Sequence, residues 1–351
     1  MPFEPPESGI QIRKLGDDPH ETARWDDFVD QCPEATFFHK AGWKKVIERA
    51  FGHPGYFLAA EFAGRIEAVL PLGHIRSRLF GNALISAPFC VYGGIAASSE
   101  RARVALDREA SKIAHGLAVD YLEMRNLRLC DPKRPRSELY VTFRKQLAPD
   151  PETNLKAIPR KQRAVIRKGI QSGLRGVIDS DLERFYRIYA ESVRNLGTPV
   201  FAKGYFQTLC EVFGSCCEIL TVEKGRQPLS SVLSFYFRDQ VLPYYGGGTR
   251  EARESRSNDF LYWDLMRRAL DRGVLIFDYG RSKKGSGSYR FKRHWGFEEQ
   301  ALHYEFELIR SSQLPNINPL NPRYRLLIAI WRKLPLALSN RLGPRISRNL
   351  A

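Results

Sequence analysis

The chain has 351 residues, of which 43% are hydrophobic and 27% charged, and its formal net charge at pH 7 is +16. This composition indicates a globular protein, and the length favours two domains over one. The positive charge predicts an anionic partner: a nucleic acid, a phosphorylated substrate or an anionic membrane face. No apolar run approaches the roughly 20 residues of a membrane-spanning helix, so no transmembrane segment is predicted.

Cysteine and histidine usage points to an intracellular protein without a metal site. The six cysteines show neither a C-x-x-C pair nor zinc spacing, and they are expected to be reduced thiols. The seven histidines are scattered, so no metal is predicted. The proline-rich, acidic N-terminal segment is the opposite of a secretory signal. We therefore predict a cytoplasmic location.

In chain order, the first half alternates strand and helix patterns. Apolar residues recur at helical spacing around Trp25 and Trp43, and period-two runs bracket Gly64. The predicted elements are a strand at 10–15, helices at 22–31 and 41–51, a hairpin of 56–61 and 66–76, a strand at 83–86, a helix at 101–117 and a strand at 121–125.

The second half repeats this order. A constant offset of 162 positions carries Gly42 to Gly204 and Gly52 to Gly214. After a length change in the hairpin, the Tyr-Gly-Gly run at 92–94 matches that at 245–247, and the strand at 121–125 matches 277–281. A shared order of this length predicts two copies of one fold. Chance similarity of two α/β patterns is the alternative.

A basic segment joins the two halves at 154–176. It contains seven Lys and Arg residues and no acidic residue, together with an apolar side. It is either a solvated linker helix or a surface that binds phosphate, which the forked guanidinium group suits well. The phosphate interpretation assigns substrate binding to Arg160, Arg163 and Arg167.

The tail after Glu307 has no acidic residue and mixes Arg and Lys with Leu, Ile and Trp. This composition is typical of an amphipathic helix lying on anionic lipid. A helix docked on the protein's own body explains it equally well. Pro335 is expected to divide it into short pieces.

The second half ends in a strand, a glycine-rich basic loop and a short helix, at 274–295. Glycines let the backbone turn inward, and amides at a helix start with nearby lysines form an anion cradle. The alternative is a flexible basic turn without a ligand. The cradle would consist of Arg281, Ser282, Lys283, Gly285, Gly287 and Lys292. It matches neither a P-loop nor a dinucleotide fingerprint.

The motifs of the second half together resemble the FemAB-like family, in particular members associated with the PEP-CTERM/exosortase exopolysaccharide system. The resemblance covers nearly the whole chain, including the tail. It is carried by residues 244–248, 258–263, 277–283, 289–292 and 295–297.

The resemblance implies a mixed α/β (α+β) fold of two tandem GNAT-like domains, each a mostly antiparallel sheet flanked by helices. We expect a degenerate N-terminal copy at 1–150, an acyltransferase copy at 151–310 and a basic amphipathic tail at 311–351. The implied reaction moves an acyl or aminoacyl group onto an amine or hydroxyl of a glycan or lipid-linked envelope precursor. The enzyme would work in the cytoplasm, peripherally on the inner membrane face.

The expected donor is an acyl-CoA-type thioester acting as co-substrate, with no tightly bound cofactor. Fem transferases that use tRNA often carry a long coiled-coil insertion, and this sequence has none. Aminoacyl-tRNA is the alternative donor. The glycine spacing after Arg281 is one residue longer than the usual GNAT spacing. The assignment of this loop to the donor's pyrophosphate therefore rests on the family resemblance and not on a motif match. A non-catalytic nucleic-acid-binding module or an envelope-assembly scaffold also stays open, although no DNA partner is expected.

Acyl transfer needs a base for the acceptor, a proton donor for the leaving group and a donor-binding surface. Asp278 is predicted as base or acceptor-orienting group, with an ion pair to a neighbouring Arg as the alternative. Tyr289 is predicted as proton donor. His294 could relay a proton, or it is a packing residue beside Trp295. Further predictions place Tyr244 and Tyr245 at the acceptor site, with core packing as the alternative.

Overall fold

The structure is a computed structural model that describes residues 9–77, 80–315 and 322–350. Its strands are β1 Gln11–Lys14, β2 Gly55–Phe62, β3 Arg65–Ser77, β4 Gly81–Ser86, β5 Ala96–Ala97, β6 Tyr121–Asn126, β7 Arg136–Ser137, β8 Tyr140–Gln146, β9 Leu174–Ile178, β10 Cys217–Lys224, β11 Gln227–Phe237, β12 Gln240–Gly248, β13 Ile276–Asp278, β14 Ser282–Lys283, β15 Glu299–Ala301 and β16 His303–Leu308. Its α-helices are α1 Pro19–Gln31, α2 Gly42–Val46, α3 Glu100–Gly116, α4 Pro151–Ala157, α5 Arg160–Gln171, α6 Leu182–Leu196, α7 Lys203–Phe213, α8 Arg250–Glu254, α9 Ser257–Asp271, α10 Gly287–His294, α11 Pro322–Lys333 and α12 Leu336–Ser347.

The predicted elements of the first half are present, with local adjustments at their ends. Helix α1 starts three residues earlier than expected, because the Asp18 side chain accepts a hydrogen bond from the His20 amide and caps the helix there. The helix predicted at 41–51 is α-helical in α2 and π-helical at Ile47–Phe51. It ends at Gly52, whose φ is +70°. Side-chain capping and the left-handed glycine therefore set these boundaries.

The two sheets have the same strand order, which confirms the tandem repeat. The first sheet runs β1-β2-β3-β4-β6-β16-β7 and the second β9-β10-β11-β12-β13-β8-β14. In each, the fourth and fifth strands of the order are parallel, namely β4 with β6 and β12 with β13. Helices flank both sheets, so the predicted mixed α/β fold with mostly antiparallel sheets is confirmed.

The chain forms two compact units whose limits differ from the predicted domains. Among the described residues, those up to Glu138 form the first unit together with 301–315 and 349–350, and 139–300 form the second with 322–348. Strand β8 follows the first unit in sequence but pairs with β13, and β16 follows the second unit but pairs with β6. The predicted boundaries at 150 and 310 are corrected accordingly, because each sheet takes its sixth strand from the far end of the neighbouring copy.

Each unit has its own apolar core. In the first, α3 lays Leu106 and Ala110 against strand residues such as Leu70, Leu84 and Leu122. In the second, α9 contributes a core face of Leu261, Trp263, Leu265 and Met266. Burying the apolar side chains of these two cores is the main favourable contribution to the folding of each unit.

The basic tail forms two helices separated at Pro335, as its sequence predicts. Helix α12 packs on the body through a stripe of small residues: Ser339, Gly343 and Ser347 are buried. A Cβ atom at Gly343 would lie 2.9 Å from the Val200 backbone, and Ser347 Oγ donates to Val200 O at 3.0 Å. Over the described ranges, no helix is long and apolar enough to cross a membrane.

Candidate functional site

Strands β12 and β13 meet and then separate, which creates the candidate site. They pair in parallel at two positions, Gln240 with Ile276 and Val241 with Phe277. Beyond that, β12 continues along β11 to Gly248, whereas β13 ends at Asp278 and the chain turns at Gly280, whose φ is +66°. In open α/β sheets, ligands bind where the carboxyl ends of neighbouring strands diverge.

A β-bulge in β12 lies at this divergence. Leu233 pairs with Tyr245 and Ser234 with Pro243, so Tyr244 is the extra residue. The following glycines are needed for packing, because a Cβ at Gly246 would lie 2.8 Å from the Tyr262 hydroxyl. One at Gly247 would lie 2.7 Å from Ser192 Cβ. The glycine backbone therefore approaches the protein's own helices α9 and α6.

An aromatic cluster covers the α9 side of the divergence. The Tyr262 ring lies 5.0 Å from Tyr279, 5.6 Å from Phe291 and 6.4 Å from Trp295, measured between ring centroids. Tyr262 and Phe291 are half-buried, and burial raises the pKa of the Tyr262 hydroxyl to about 12. The Tyr279 hydroxyl is buried without a hydrogen-bond partner among the described residues. The cluster therefore combines apolar ring surface with the hydroxyls of Tyr262 and Tyr279.

Asp278 is fully buried in a polar network. Its carboxylate pairs with Arg144 Nε at 3.2 Å and accepts hydrogen bonds from the Gly280 amide at 2.7 Å and Thr142 Oγ1 at 3.3 Å. This is the ion pair that the sequence left open as the alternative to a catalytic base. A carboxylate enclosed in this way orients the turn at Gly280 and holds β8 against β13.

The predicted anion cradle is mostly occupied by internal hydrogen bonds. Ser282 and Lys283 form β14, which pairs with Val141 and Tyr140 of β8. The Lys284 amide donates to Leu139 O at 3.1 Å and the Ser286 amide to Lys283 O at 3.1 Å. The expectation of a loop with free amides is therefore corrected, because β8, the adjoining Leu139 carbonyl and the loop's own Lys283 carbonyl use these backbone groups.

What remains of the cradle is the start of α10. The Ser286 side chain caps this helix by accepting from the Tyr289 amide at 3.2 Å. The first amides of a helix have no partner within the helix, which leaves those of Gly287 and Ser288. Gly285 is exposed with a φ of +76°. Nearby, Lys283 Nζ and Ser282 Oγ are buried without a hydrogen-bond partner in the described part of the chain, and Arg281 lies 4.8 Å from the Tyr140 ring.

Lys292 lies beneath the loop. The prediction that it binds a phosphate is corrected by its contacts. Its Nζ donates to Gly280 O at 2.8 Å and Arg281 O at 3.1 Å, and 8% of the residue is exposed. Burial lowers the pKa of Lys292 to about 7, with the charge of Asp278 opposing this shift and that of Arg281 adding to it. Lys292 therefore fastens α10 to the turn and lies too deep to reach a phosphate.

This burial predicts a pH-dependent stability. Between pH 7 and an ordinary lysine pKa of 10.5, the unfolded chain binds a proton at Lys292 that the folded chain does not, so folding becomes more favourable as pH rises. Urea unfolding of wild type and Lys292→Met should show wild type gaining up to about 1.4 kcal/mol per pH unit relative to the variant. The exposed Lys284→Met is the matched control. A pH-independent difference for Lys292→Met would contradict the assignment.

Tyr289 and His294 occupy the outer side of α10. The Tyr289 ring packs edge-on against Phe143 at 5.6 Å, and its hydroxyl donates to Glu299. This bond raises the pKa of Tyr289 above its usual range. His294 is exposed. Of the three predicted catalytic residues, Tyr289 presents its hydroxyl outward, Asp278 is enclosed and His294 faces solvent.

The predicted acceptor residues fall into two groups: Tyr244 and Tyr245 on β12, whose ring centroids lie 4.7 Å apart, and the three arginines on α5. The Tyr245 hydroxyl bonds to that of Tyr205 at 2.6 Å, inside an aromatic cluster of α6 and α7, so core packing explains this residue. Tyr244 is half-buried at the bulge. On α5, Arg160 and Arg167 are exposed and Arg163 donates to Lys156 O at 3.0 Å.

Helix α5 is a packed element with one basic face, and not the free linker of the alternative interpretation. Gly169 lies against α9, where a Cβ would be 3.1 Å from Phe260 Cβ, and Gln162 donates to Asp259. Arg160, Lys161, Arg167 and Lys168 face solvent.

Sequence reasoning missed Arg144, Tyr262 and Glu299. Arg144 and Glu299 are distant in sequence from the residues that they contact, Asp278 and Tyr289 respectively, so no local motif marks them. Tyr262 lies within the motif at 258–263 and could have been found from the sequence. The glycines at the end of β12 let its backbone approach a neighbouring helix closely, and Tyr262 lies in the second turn of α9, which comes after that strand.

A comparison with family models matches residues 160–293 to the acetyltransferase (GNAT) domain. The second half of the chain is therefore an acyltransferase domain. The match spans α5 to α10 and includes both strands of the divergence, β12 and β13. A comparison with curated proteins finds no significant match.

Solved structures share the fold over most of the chain. FemX has a TM-score of 0.65 at 13% identity over 84% of this chain and 97% of its own. The C-terminal domain of a putative lysylphosphatidylglycerol synthetase from Agrobacterium fabrum has a TM-score of 0.55 at 12% identity, covering 83% and 91%. A tandem GNAT protein of the clavulanic acid pathway has a TM-score of 0.54 at 13% identity, covering 87% and 100%. These likenesses support the tandem GNAT, Fem-like fold, while the association with the PEP-CTERM system stays a prediction.

Proposed function

We propose that the acyltransferase moves an acyl or aminoacyl group from an acyl-CoA-type thioester to an amine or hydroxyl of a cell-envelope or exopolysaccharide precursor. The observation that carries this proposal is the acetyltransferase-domain match over 160–293, which encloses the divergence of β12 and β13. The donor is a co-substrate and no cofactor is bound tightly. The site works in the cytoplasm, at the membrane face where such precursors are assembled.

The donor would lie across the divergence. Its apolar part fits the aromatic cluster around Tyr262, where half-buried rings offer contact area. Its phosphates fit the first amides of α10, with Lys283 and Lys284 beside them. The unpartnered Lys283 ammonium supports this placement, because burial lowers its pKa and an anion would reverse that cost.

Tyr289 would donate the proton to the leaving group. The acceptor nitrogen or oxygen attacks the carbonyl carbon, and its proton passes to solvent water. The bond from the acyl carbon to the donor's sulfur or ribose oxygen breaks, and the leaving atom takes the Tyr289 proton, which the tyrosine then regains from solvent. The Tyr289 hydroxyl is protonated at neutral pH, as a proton donor must be, because an ordinary tyrosine pKa of about 10 already lies well above 7 and the bond to Glu299 raises this pKa further. In this proposal Asp278 orients the turn at Gly280, which precedes the loop to α10, and does not act as a base.

Aminoacyl-tRNA is a second candidate donor, favoured by the exposed basic face of α5. Arg160, Lys161, Arg167 and Lys168 face solvent along a helix packed on α9, the same helix that carries Tyr262. A line of arginines along one helix suits a polyphosphate backbone. The FemX and lysylphosphatidylglycerol synthetase folds are compatible with this reading.

Donor titration tests the proposal. We expect free CoA and acetyl-CoA to stabilise the protein saturably in thermal-shift and calorimetric titrations. Lys283→Ala/Lys284→Ala should weaken CoA binding about tenfold, or roughly 1.4 kcal/mol. The matched control, Lys224→Ala/Arg226→Ala, changes exposed basic residues near the β10–β11 turn and should leave binding unchanged.

The outcomes separate the two donors. Binding of bulk tRNA that Arg160→Ala/Arg167→Ala weakens, with CoA inert, would replace the thioester by aminoacyl-tRNA. No response to either donor would overturn the placement of the donor at the divergence.

A further inference from the structure

Helix α11 is held on the second unit by one of its faces. Ile328 packs on Gly197 at the end of α6, where an added Cβ would be 2.5 Å from Ile328 Cγ2. Arg332 Nη2 donates to Leu196 O at 3.3 Å, and Arg194 Nη1 donates to Leu334 O at 3.1 Å. With α12 docked on Val200, the tail is a fixed part of the body, and α11 has a fixed outward face.

That outward face is apolar. Leu326, Leu327 and Ile330 are 69%, 61% and 51% exposed, and Leu196 at the adjoining end of α6 is 58% exposed. Their spacing along α11 places the three tail residues on one side of the helix. We call these four residues the α11 patch. Single exposed leucines are ordinary, whereas a grouped set of this kind marks an interaction surface.

The charge around the patch is positive. The chain after Glu307 contains eight Arg and Lys residues and no acidic residue. Among the described side chains, Arg332 and Lys333 are exposed two and three residues after Ile330. Apolar side chains flanked by cations match the interface of a bilayer that contains anionic lipid, where the apolar groups enter the headgroup region and the cations meet phosphates.

Two other occupants fit less well. A second copy of the chain in a two-fold arrangement would bring the same positively charged surfaces face to face, which is unfavourable. A nucleic acid would use the cations but would leave the leucines and isoleucine without a partner.

We propose that the α11 patch docks the protein peripherally on membranes that contain anionic lipid. Helix α11 has 12 residues, too few to cross a bilayer, so it lies along the surface. Docking would hold the acyltransferase domain beside a lipid-linked acceptor; this purpose, though not the binding itself, rests on the proposed function.

Vesicle co-sedimentation tests the docking. We expect at least about tenfold stronger binding to phosphatidylcholine vesicles that contain phosphatidylglycerol than to phosphatidylcholine alone. Leu326→Asp/Ile330→Asp should reduce this binding at least about tenfold. Lys333→Gln, at an exposed cation next to the patch, should reduce its salt dependence. The matched control is Leu275→Asp, at a leucine that is 48% exposed outside the patch, and it should bind like wild type.

Three results would overturn the inference. In the first, wild type binds both vesicle types equally or binds neither. In the second, Leu275→Asp loses as much vesicle binding as Leu326→Asp/Ile330→Asp. In the third, wild type binds no vesicles and light scattering shows a dimer that the patch variants dissociate. Circular dichroism and donor titration on the same variants confirm that they are folded. If a patch variant loses vesicle binding and keeps donor binding, the loss is due to the patch alone. If the protein binds vesicles but no donor, the proposed function fails and the docking inference stands.

Discussion

Replacing Asp278 with alanine should lower the free energy of unfolding by about 3 kcal/mol or more. The carboxylate is fully buried and pairs with Arg144 at 3.2 Å, so its removal leaves a guanidinium group, itself 24% exposed, without its compensating charge. The Gly280 amide and Thr142 hydroxyl lose their acceptor as well. Urea denaturation with a probe of the second unit measures the change.

A double variant separates charge from packing at this position. Asp278→Ala/Arg144→Met should regain a large part of the lost stability, because it removes both charges and leaves no unpaired one. Asp271→Ala, at an exposed aspartate of α9, should change the stability by less than about 0.5 kcal/mol. Unchanged stability in Asp278→Ala together with abolished turnover would return Asp278 to the role of base.

The fold was predictable because its signals are local and occur twice. Glycines such as Gly52 and Gly214 end corresponding helices. The Tyr-Gly-Gly run lies near the end of β12 in the second copy and in the loop between β4 and β5 in the first. Apolar periodicity then distinguishes helix from strand between these points. Two copies of the same order support each other, and the identical strand orders follow from them.

The exchange of strands was not predictable by the same means. Strand β8 reads as a short alternating run before a proline-capped helix, and nothing within 140–146 indicates that it pairs with β13 more than a hundred residues later. Pairing partners across such distances depend on the final packing, which local pattern does not encode. The domain boundaries moved for this reason.

The sequence predicts the candidate site only as a stretch of chain, because the roles of its individual residues depend on how deeply each is buried. The loop at 280–287 gains a partner strand in β8, which uses its amides. Lys292 becomes a buried fastening group because α10 packs down on the turn. Only Tyr289 keeps the outward hydroxyl that its predicted role requires, and it does so through Glu299, a contact that the sequence did not suggest.

Replacing Tyr289 with phenylalanine should reduce kcat about 100-fold while changing donor affinity less than about threefold. The substitution removes one hydroxyl and keeps the ring against Phe143, so folding and donor contact persist. Without a proton donor, the leaving thiolate or alkoxide departs with its full charge. Release of the free thiol from the bound acyl donor measures the rate, with binding measured separately by calorimetry.

A matched loss of a hydroxyl elsewhere distinguishes chemistry from structure. Tyr244→Phe removes a hydroxyl from a half-buried tyrosine at the bulge and should leave kcat within about threefold of wild type. Glu299→Gln keeps an acceptor for the Tyr289 hydroxyl but removes the charge that raises its pKa, so it should retain most of the rate. Equal losses in Tyr289→Phe and Tyr244→Phe, or a loss in Tyr289→Phe confined to donor affinity, would move the proton transfer to another group and leave Tyr289 a binding residue.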